Sequence, residues 1–353
     1  MPSLSEPLAR FPGLPRVLYV YRFPYWKWPV VRQCFSGRRV VFLEQVDDVP
    51  TGAWLVLWGM SPVPDGLASD VRVIRMEDGF LRSIGLGADL IRPVSWVVDG
   101  QGIHYNATKQ SDLEVLCSTY VFDEKLLERA AGLRVRIVAT GLTKYNVGAG
   151  IWRRQSSAGR VILVPGQVES DASLTYGAPE ERTNLGLLRS VRVAHPDAYV
   201  IYKPHPDVVA RLRAVGRDEQ DAYLWCNEVV ADAAMGDLLR VVDEVHVLTS
   251  LTGFEALLRG VKVTCHGQPF YSGWGLTHDL LPNARRCRRL SLDELVAAVL
   301  ILYPLYLSRD GKRLITPEQA LDEMLVWRAR TDGREPWWRE IIRFFLRRII
   351  GVR

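Results

Sequence analysis

Two Rossmann-like α/β halves followed by C-terminal helices are what the sequence predicts, and three observations carry that prediction. Short β-rich apolar runs alternate with helical segments throughout, with no low-complexity segment or short-period repeat between them. The 353 residues exceed one ordinary core and suit two domains of moderate size. Finally, Tyr202-Lys-Pro-His-Pro-Asp207 and Thr249-Ser-Leu-Thr-Gly-Phe-Glu-Ala256 each read as the exit of a buried strand. In an open parallel sheet ligands bind beyond such exits, where helix N-termini offer free N–H groups.

The elements follow in order. Strands are expected at Val17–Tyr21, Val40–Glu44, Trp54–Trp58 and Val73–Glu77, and then at Val161–Pro165, Tyr199–Lys203, Val245–Leu248 and Val261–Cys265. Between the two sets lie a helix around Asp123–Gly132 and the turn-rich segment Ala139–Gly148, the expected interdomain hinge. The boundaries drawn from this are an N-terminal domain over 1–145, a second domain with closing helices over 146–332, and a tail over 333–353. Two Rossmann-like halves facing a central cleft describe the GT-B arrangement, which by itself leaves function open. The apolar run Leu295–Leu307 is too short to span a membrane, and the capping-box pattern Ser291-Leu-Asp-Glu294 before it marks a buried helix.

Composition narrows the class. Apolar content of 48% with 24% charged residues is that of a folded soluble protein. Cys34, Cys117, Cys226, Cys265 and Cys287 are scattered without a CxxC pair, which points to structural thiols in a reducing cytoplasm. The start Met1-Pro-Ser-Leu-Ser-Glu-Pro7 has neither the basic region nor the apolar region of a signal peptide. Of the net charge of +5, residues 334–353 supply +4, so the body is close to neutral and is not a nucleic-acid binder. In that tail Arg339, Glu340, Arg343 and Arg347 share one helical face, and Trp337, Trp338, Ile341, Ile342, Phe345 and Ile349 the other. A basic amphipathic helix with tandem Trp reads as an interfacial membrane anchor, although Leu346 and Ile350 encroach on its polar side. A terminal helix packed on the body is the plainer alternative.

The candidate site residues cluster at strand exits. Gly166-Gln-Val-Glu-Ser-Asp171 follows the 161–165 strand and brings Gln167, Glu169 and Asp171 to the crevice of His205. A carboxylate there serves as nucleophile or general base, and the residues alone do not choose; a helix N-cap is the plainer reading of Asp171. In the first half, Met76-Glu-Asp-Gly-Phe-Leu-Arg-Ser-Ile-Gly-Leu-Gly87 leaves another strand, so Glu77 and Asp78 face Asp171 if the sheets are opposed. Arg82 and Ser83 suit a carboxylate or phosphate. Ser250, Thr252 and Gly253 suit phosphate at a helix start, the glycine allowing close approach. Phe270, Tyr271 and Trp274 either stack on a ligand or fill a sharply turned loop, and Trp26 and Trp28 either line the acceptor side or belong to core and surface. No DxD motif or His-rich cluster appears, so neither a catalytic metal nor another cofactor is expected.

Taken together, Glu77–Gly87, Thr143-Lys-Tyr-Asn146, Gln167-Val-Glu-Ser-Asp-Ala-Ser-Leu174, the two strand exits, Pro269-Phe-Tyr-Ser-Gly-Trp-Gly-Leu276 and Tyr303-Pro-Leu-Tyr306 resemble the successive boxes of the KpsC/KpsS capsule polysaccharide family, the β-Kdo glycosyltransferases. The resemblance covers about residues 70–330 and is nearest to a KpsC module, of which family members often carry two in tandem. It implies retaining transfer of Kdo, an eight-carbon acidic sugar, from CMP-β-Kdo to a Kdo acceptor on a phosphatidylglycerol-type lipid. That chemistry takes place at the inner membrane, in a capsule biosynthesis and export setting. Asp171 would attack the anomeric carbon, Glu77 would serve as acid/base, and His205, Pro206 and Glu255 would meet the cytidine. Arg82 and Lys144 would hold the Kdo carboxylate, with Ser83, Gln167, Glu169 and Lys203 as further binding residues. Two alternatives stand beside this: a GT-B transferase using another nucleotide sugar, and a non-catalytic module recruiting capsule enzymes to the membrane.

Overall fold

The computed structural model describes residues 6–331 apart from 86–91, 145, 147, 149, 156 and 157. The basic tail from residue 332 onward therefore lies outside the described residues, as do Leu86 and Gly87 of the first motif.

Strands among the described residues form two sheets. The first contains β1 (Val17–Tyr21), β2 (Arg39–Leu43), β3 (Trp54–Trp58), β4 (Arg72–Asp78) and β5 (Ser95–Asp99). The second contains β6 (Val161–Pro165), β7 (Tyr199–Lys203), β8 (Glu228–Val229), β9 (Glu244–Val247), β10 (Lys262–Cys265) and β11 (His278–Asp279). The chain then returns to the first sheet with β12 (Pro304–Leu307) and β13 (Leu314–Ile315), giving the order β13-β12-β5-β4-β3-β1-β2. In the first sheet β1–β4 run parallel while β5, β12 and β13 each pair antiparallel. The second sheet is parallel throughout, in the order β11-β10-β9-β6-β7-β8.

This is the expected α/β protein, with all eight expected strands present to within a residue or two. Most are apolar and rich in β-branched residues, and parallel strands under helices are buried on both faces: β6 is buried at every position. The helix around 123–132 runs longer, from Glu124 to Thr140, with Asp123 accepting the Leu126 N–H and Gly141 closing it at φ +66°. Ion pairs of 2.7 Å tie it to later helices, Arg129 to Glu318 and Arg134 to Asp293. One hydrophobic cluster runs through both halves, joining Phe80, Val97 and Leu133 to Val161, Val245 and Phe254.

The apolar run 295–307 is only half helical. The Ser291–Glu294 capping box forms and helix continues to Leu302, but Pro304 cannot extend it, and Pro304–Leu307 becomes strand β12. Both sheets have a point where strand order reverses, between β1 and β3 in the first and between β6 and β9 in the second. Crevices open at such points.

Candidate active site

At the second sheet's reversal the exits of β6 and β9 are stapled by one side chain. Gln167 donates to Thr249 Oγ1 at 3.0 Å and accepts the Thr249 N–H at 2.9 Å. Its backbone is clamped by Asn184, which accepts the Gln167 N–H at 2.8 Å and donates to its carbonyl at 2.9 Å. Gln167 is thus consumed in holding the crevice open. Glu169 turns to the neighbouring loops, its two oxygens accepting the N–H groups of Asn184 and Arg217 at 2.8 and 2.7 Å.

Asp171 is exposed and caps the short helix Ala172–Gly177, its Oδ1 accepting the Ser173 N–H at 2.8 Å. Its Oδ2 takes no hydrogen bond among the described residues. His205, after β7, is half-buried, and its Nδ1 accepts the Asp207 N–H at 3.2 Å. Burial, then the Lys144 ammonium, pushes its pKa down to about 4, opposed by Asp171. The neutral ring with Nδ1 as acceptor carries its proton on Nε2, so His205 is a donor. Lys203 is buried, donates to the Ala231 carbonyl at 2.9 Å, and is lowered to about 8 by burial.

Glu77 lies at the end of β4. Burial, then repulsion from Asp78, raises it to about 7, with Lys27 and Lys144 opposing. Tyr105 approaches Glu77 Oε2 at 3.4 Å, and the Tyr105 hydroxyl in turn feels the charge of Asp171. Lys144 acts on Glu77, His104, His205 and Glu255 alike. Glu77, Tyr105, Lys144, Asp171 and His205 are therefore linked pair by pair through their charges.

Arg82 is buried with its Nε on Asp78 Oδ2 at 2.9 Å, and the buried Ser83 hydroxyl donates to the Gly85 carbonyl at 3.1 Å. Ser250 caps the helix Leu251–Leu258, accepting the Thr252 N–H at 3.2 Å. Glu255 is buried in that helix and accepts the Lys144 N–H at 2.6 Å, so it anchors the Lys144 loop. Pro206 opens the short helix after His205. The space beside Gly253 belongs to Tyr271, whose ring carbons would lie 2.7 and 2.9 Å from an added Cβ; the glycine admits this ring instead of the expected ligand. Tyr271 and Trp274 are fully buried and Phe270 nearly so, which makes the aromatic box a packed loop turned at Gly273 and Gly275. Trp28 stacks on Phe42 with rings 4.1 Å apart, while Trp26 is 37% exposed.

Lys27 and Tyr105 escaped the sequence reading. Lys27 is buried where the first sheet reverses, with Nζ 2.6 Å from the centroid of the Trp58 ring. Burial lowers it to about 8, opposed by Asp78 and Glu77. The signal for it was position: it follows β1 as His205 follows β7.

Among the described residues no group of three or more His, Cys, Asp or Glu is arranged to hold a metal ion. No helix among them is long and apolar enough to cross a membrane.

Comparison with known proteins places this arrangement. Residues 66–146 and 122–306 match the family described as capsule polysaccharide biosynthesis protein. The capsule polysaccharide modification protein LipA of Neisseria meningitidis serogroup B is 47% identical over 313 residues, 86% of this chain and 44% of LipA. The lipopolysaccharide-processing protein LpsZ of Rhizobium meliloti is 42% identical over 80% of this chain and 68% of its own length. The chain thus spans less than half the length of LipA. Among solved structures, the β-Kdo 2,7 transferase of Thermosulfurimonas dismutans KpsC superposes with a TM-score of 0.74 at 37% identity, covering 88% of this chain and 99% of that one. The β-Kdo 2,4 transferase of the same KpsC gives 0.77 at 28%, covering 87% and 98%. By family match, sequence identity and superposition alike, the chain belongs to the capsule polysaccharide biosynthesis protein family.

Proposed function

We propose that this chain is a retaining β-Kdo glycosyltransferase of capsule linker synthesis, using CMP-β-Kdo as donor and a Kdo-bearing phosphatidylglycerol-type lipid as acceptor. The observation that carries the reading is the charge coupling of Lys144, in the loop after helix Glu124–Thr140, to Glu77 at the end of β4 and His205 after β7, and of His205 to Asp171 in the loop after β6. The superposition on two KpsC Kdo transferase structures supports the same reading. In this reading the chain is of GT-B type, with an acceptor-side half over 1–145 that strands β12 and β13 rejoin, a donor half over the rest of 146–332 and a cleft between them.

The reaction proceeds by double displacement. The Asp171 carboxylate attacks the anomeric carbon of Kdo, and the bond to the CMP phosphate breaks with the electron pair leaving on CMP. The acceptor hydroxyl then attacks the same carbon, Asp171 departs with its pair, and the hydroxyl proton passes to Glu77. Two inversions give net retention. A carboxylate raised to about 7 accepts that proton near neutral pH and can release it again. His205 supplies an Nε2–H donor to the departing phosphate, and the capped start of the helix Leu251–Leu258 adds backbone donors. Lys144, with Arg82 behind it, is the cation for the Kdo carboxylate. The residues of the tail 334–353 favour an anionic inner-membrane surface where the lipid acceptor is displayed, within a capsule assembly.

The test is transfer by the purified chain from CMP-Kdo, generated in situ, to a synthetic Kdo-terminated lipid, with the linkage read by NMR. A β-linked Kdo product is expected, and Asp171→Ala should abolish it while CMP still binds. Transfer that survives Asp171→Ala rules out the nucleophile assignment. CMP binding without transfer by the parent chain moves the donor assignment to another nucleotide sugar.

A further inference from the structure

One face of the second sheet departs from the apolar pattern of a parallel sheet. Along β9, Val245 and Val247 belong to the core, while Glu244 and His246 point the other way. Along β10, Val263 and Cys265 are core, while Lys262, Thr264 and, just past the strand, His266 share the opposite face. His278 of β11 sits in register with Thr264. Helices normally cover both faces of parallel strands with aliphatic packing. Here the polar face instead lines a half-open cavity of about 490 Å³, flanked by Arg160, His195 and the apolar side chains of Leu276 and Leu280. Four of the chain's six histidines meet there, and none of these residues belongs to the candidate active site.

The cavity's carboxylate is already neutralised. Glu244 is paired with Arg160, accepts from Thr264 Oγ1 at 2.8 Å, and lies 2.9 Å from His246 Nε2. His246 Nε2 makes no hydrogen bond among the described residues despite that distance, while His246 Nδ1 and His266 Nε2, 3.0 Å apart, share one proton whose donor is set by the tautomers. With Arg160 and Glu244 offsetting each other, what remains around the cavity is basic: Lys262 and His278, both exposed, with His266 and His195. Burial, and then the neighbouring imidazoles His246, His195 and His278, push His266 down to about 4, and His195 is lowered by burial, His246 and Arg160. Basic groups this close together disfavour one another's protonation; an added anion relieves that and lets the imidazoles protonate. An anion is the ligand complementary to this basic lining.

We propose that this cavity binds a small oxyanion of the phosphate class, separately from the candidate active site, and that binding takes up protons on His266 and its neighbours. The site owes nothing to the donor or acceptor reading above.

The experiment is calorimetric titration of the full chain with sulfate, a dianion at both conditions, at about pH 6 and about pH 8, with inorganic phosphate as second probe. Expected are saturable binding, affinity at least about tenfold tighter at the lower pH, and net proton uptake read from buffers of different ionisation enthalpy. The exposed pair Lys262→Ala/His278→Gln should weaken binding about tenfold with the fold intact by circular dichroism, while His205→Ala leaves it unchanged. Absence of saturable binding at either pH, affinity independent of pH, or binding that falls with His205→Ala and not with the cavity pair would each overturn the proposal.

Discussion

Glu255→Gln isolates the electrostatic cost of tying the Lys144 loop to the second sheet. Glu255 is buried, and loss of water raises its pKa from the ordinary 4.5 to about 7 in spite of Arg259, the Lys144 N–H and the Lys144 ammonium. A carboxyl group with its folded pKa above its unfolded one binds its proton more tightly in the folded state. Stability is therefore highest below about pH 4.5 and is lost as pH rises towards 7. A folded pKa one pH unit above the unfolded one is worth about 1.4 kcal/mol, so ionised Glu255 costs about 3 kcal/mol once both states are deprotonated. Glutamine keeps an oxygen for the Lys144 N–H, 2.6 Å away in the parent, and carries no charge. Urea unfolding of parent and variant should give a stability difference that moves in the variant's favour by about 2.5 kcal/mol between about pH 5 and about pH 8. Glu77, also raised, contributes equally to both proteins and cancels in the difference. A difference that stays constant, or moves the other way, would refute the claim that the buried carboxylate ionises at a cost.

Lys27→Met removes a cation that opposes the raised pKa of Glu77, so the acidic limb of the kcat/KM profile should move up by about one pH unit; an unmoved limb separates Lys27 from Glu77. Gln167→Leu strips the side-chain acceptor from the Thr249 N–H and one of the two partners of its hydroxyl, which keeps Ser173, and should cost about 1–3 kcal/mol in urea unfolding, with the donor KM raised. Removal of residues 334–353 should abolish sedimentation with anionic vesicles while leaving transfer to a soluble Kdo acceptor intact, and vesicle binding that persists would locate the attachment elsewhere.

The legible part of the fold was that in which local sequence and final environment coincide. Val161–Pro165 and Tyr199–Lys203 are apolar, β-branched and buried, so composition alone delimits them. Strand β12 was hidden because Leu295–Leu307 is apolar throughout; only Pro304 marks the change, and its partner β5 lies some two hundred residues earlier. The site divides the same way. Glu77, Asp171 and His205 stand directly at strand exits, where topology alone predicts ligand residues. Lys27 reaches Glu77 only because the sheet order sets β1 two strands from β4, and Tyr105 only because the loop after β5 folds back over β4. The histidine cavity was half-visible: Glu244-Val-His-Val247 reads as an apolar run by composition but alternates strictly, and the alternation held the information.

The plain and the chemical readings of Asp171 turn out to describe one arrangement. As N-cap, the residue spends Oδ1 on the Ser173 N–H, and that bond fixes the side chain in one orientation. The residue is exposed, and His205 and Tyr105 both feel its charge. A nucleophile needs this condition: a fixed rotamer, one oxygen without a partner, and an exposed approach for a bulky anomeric carbon. Gln167 and Asn184 serve the same end one step back, since they set the loop from which the capped helix departs. The cap is therefore compatible with the proposed nucleophile role, because an uncapped aspartate on this exposed loop would sample several rotamers.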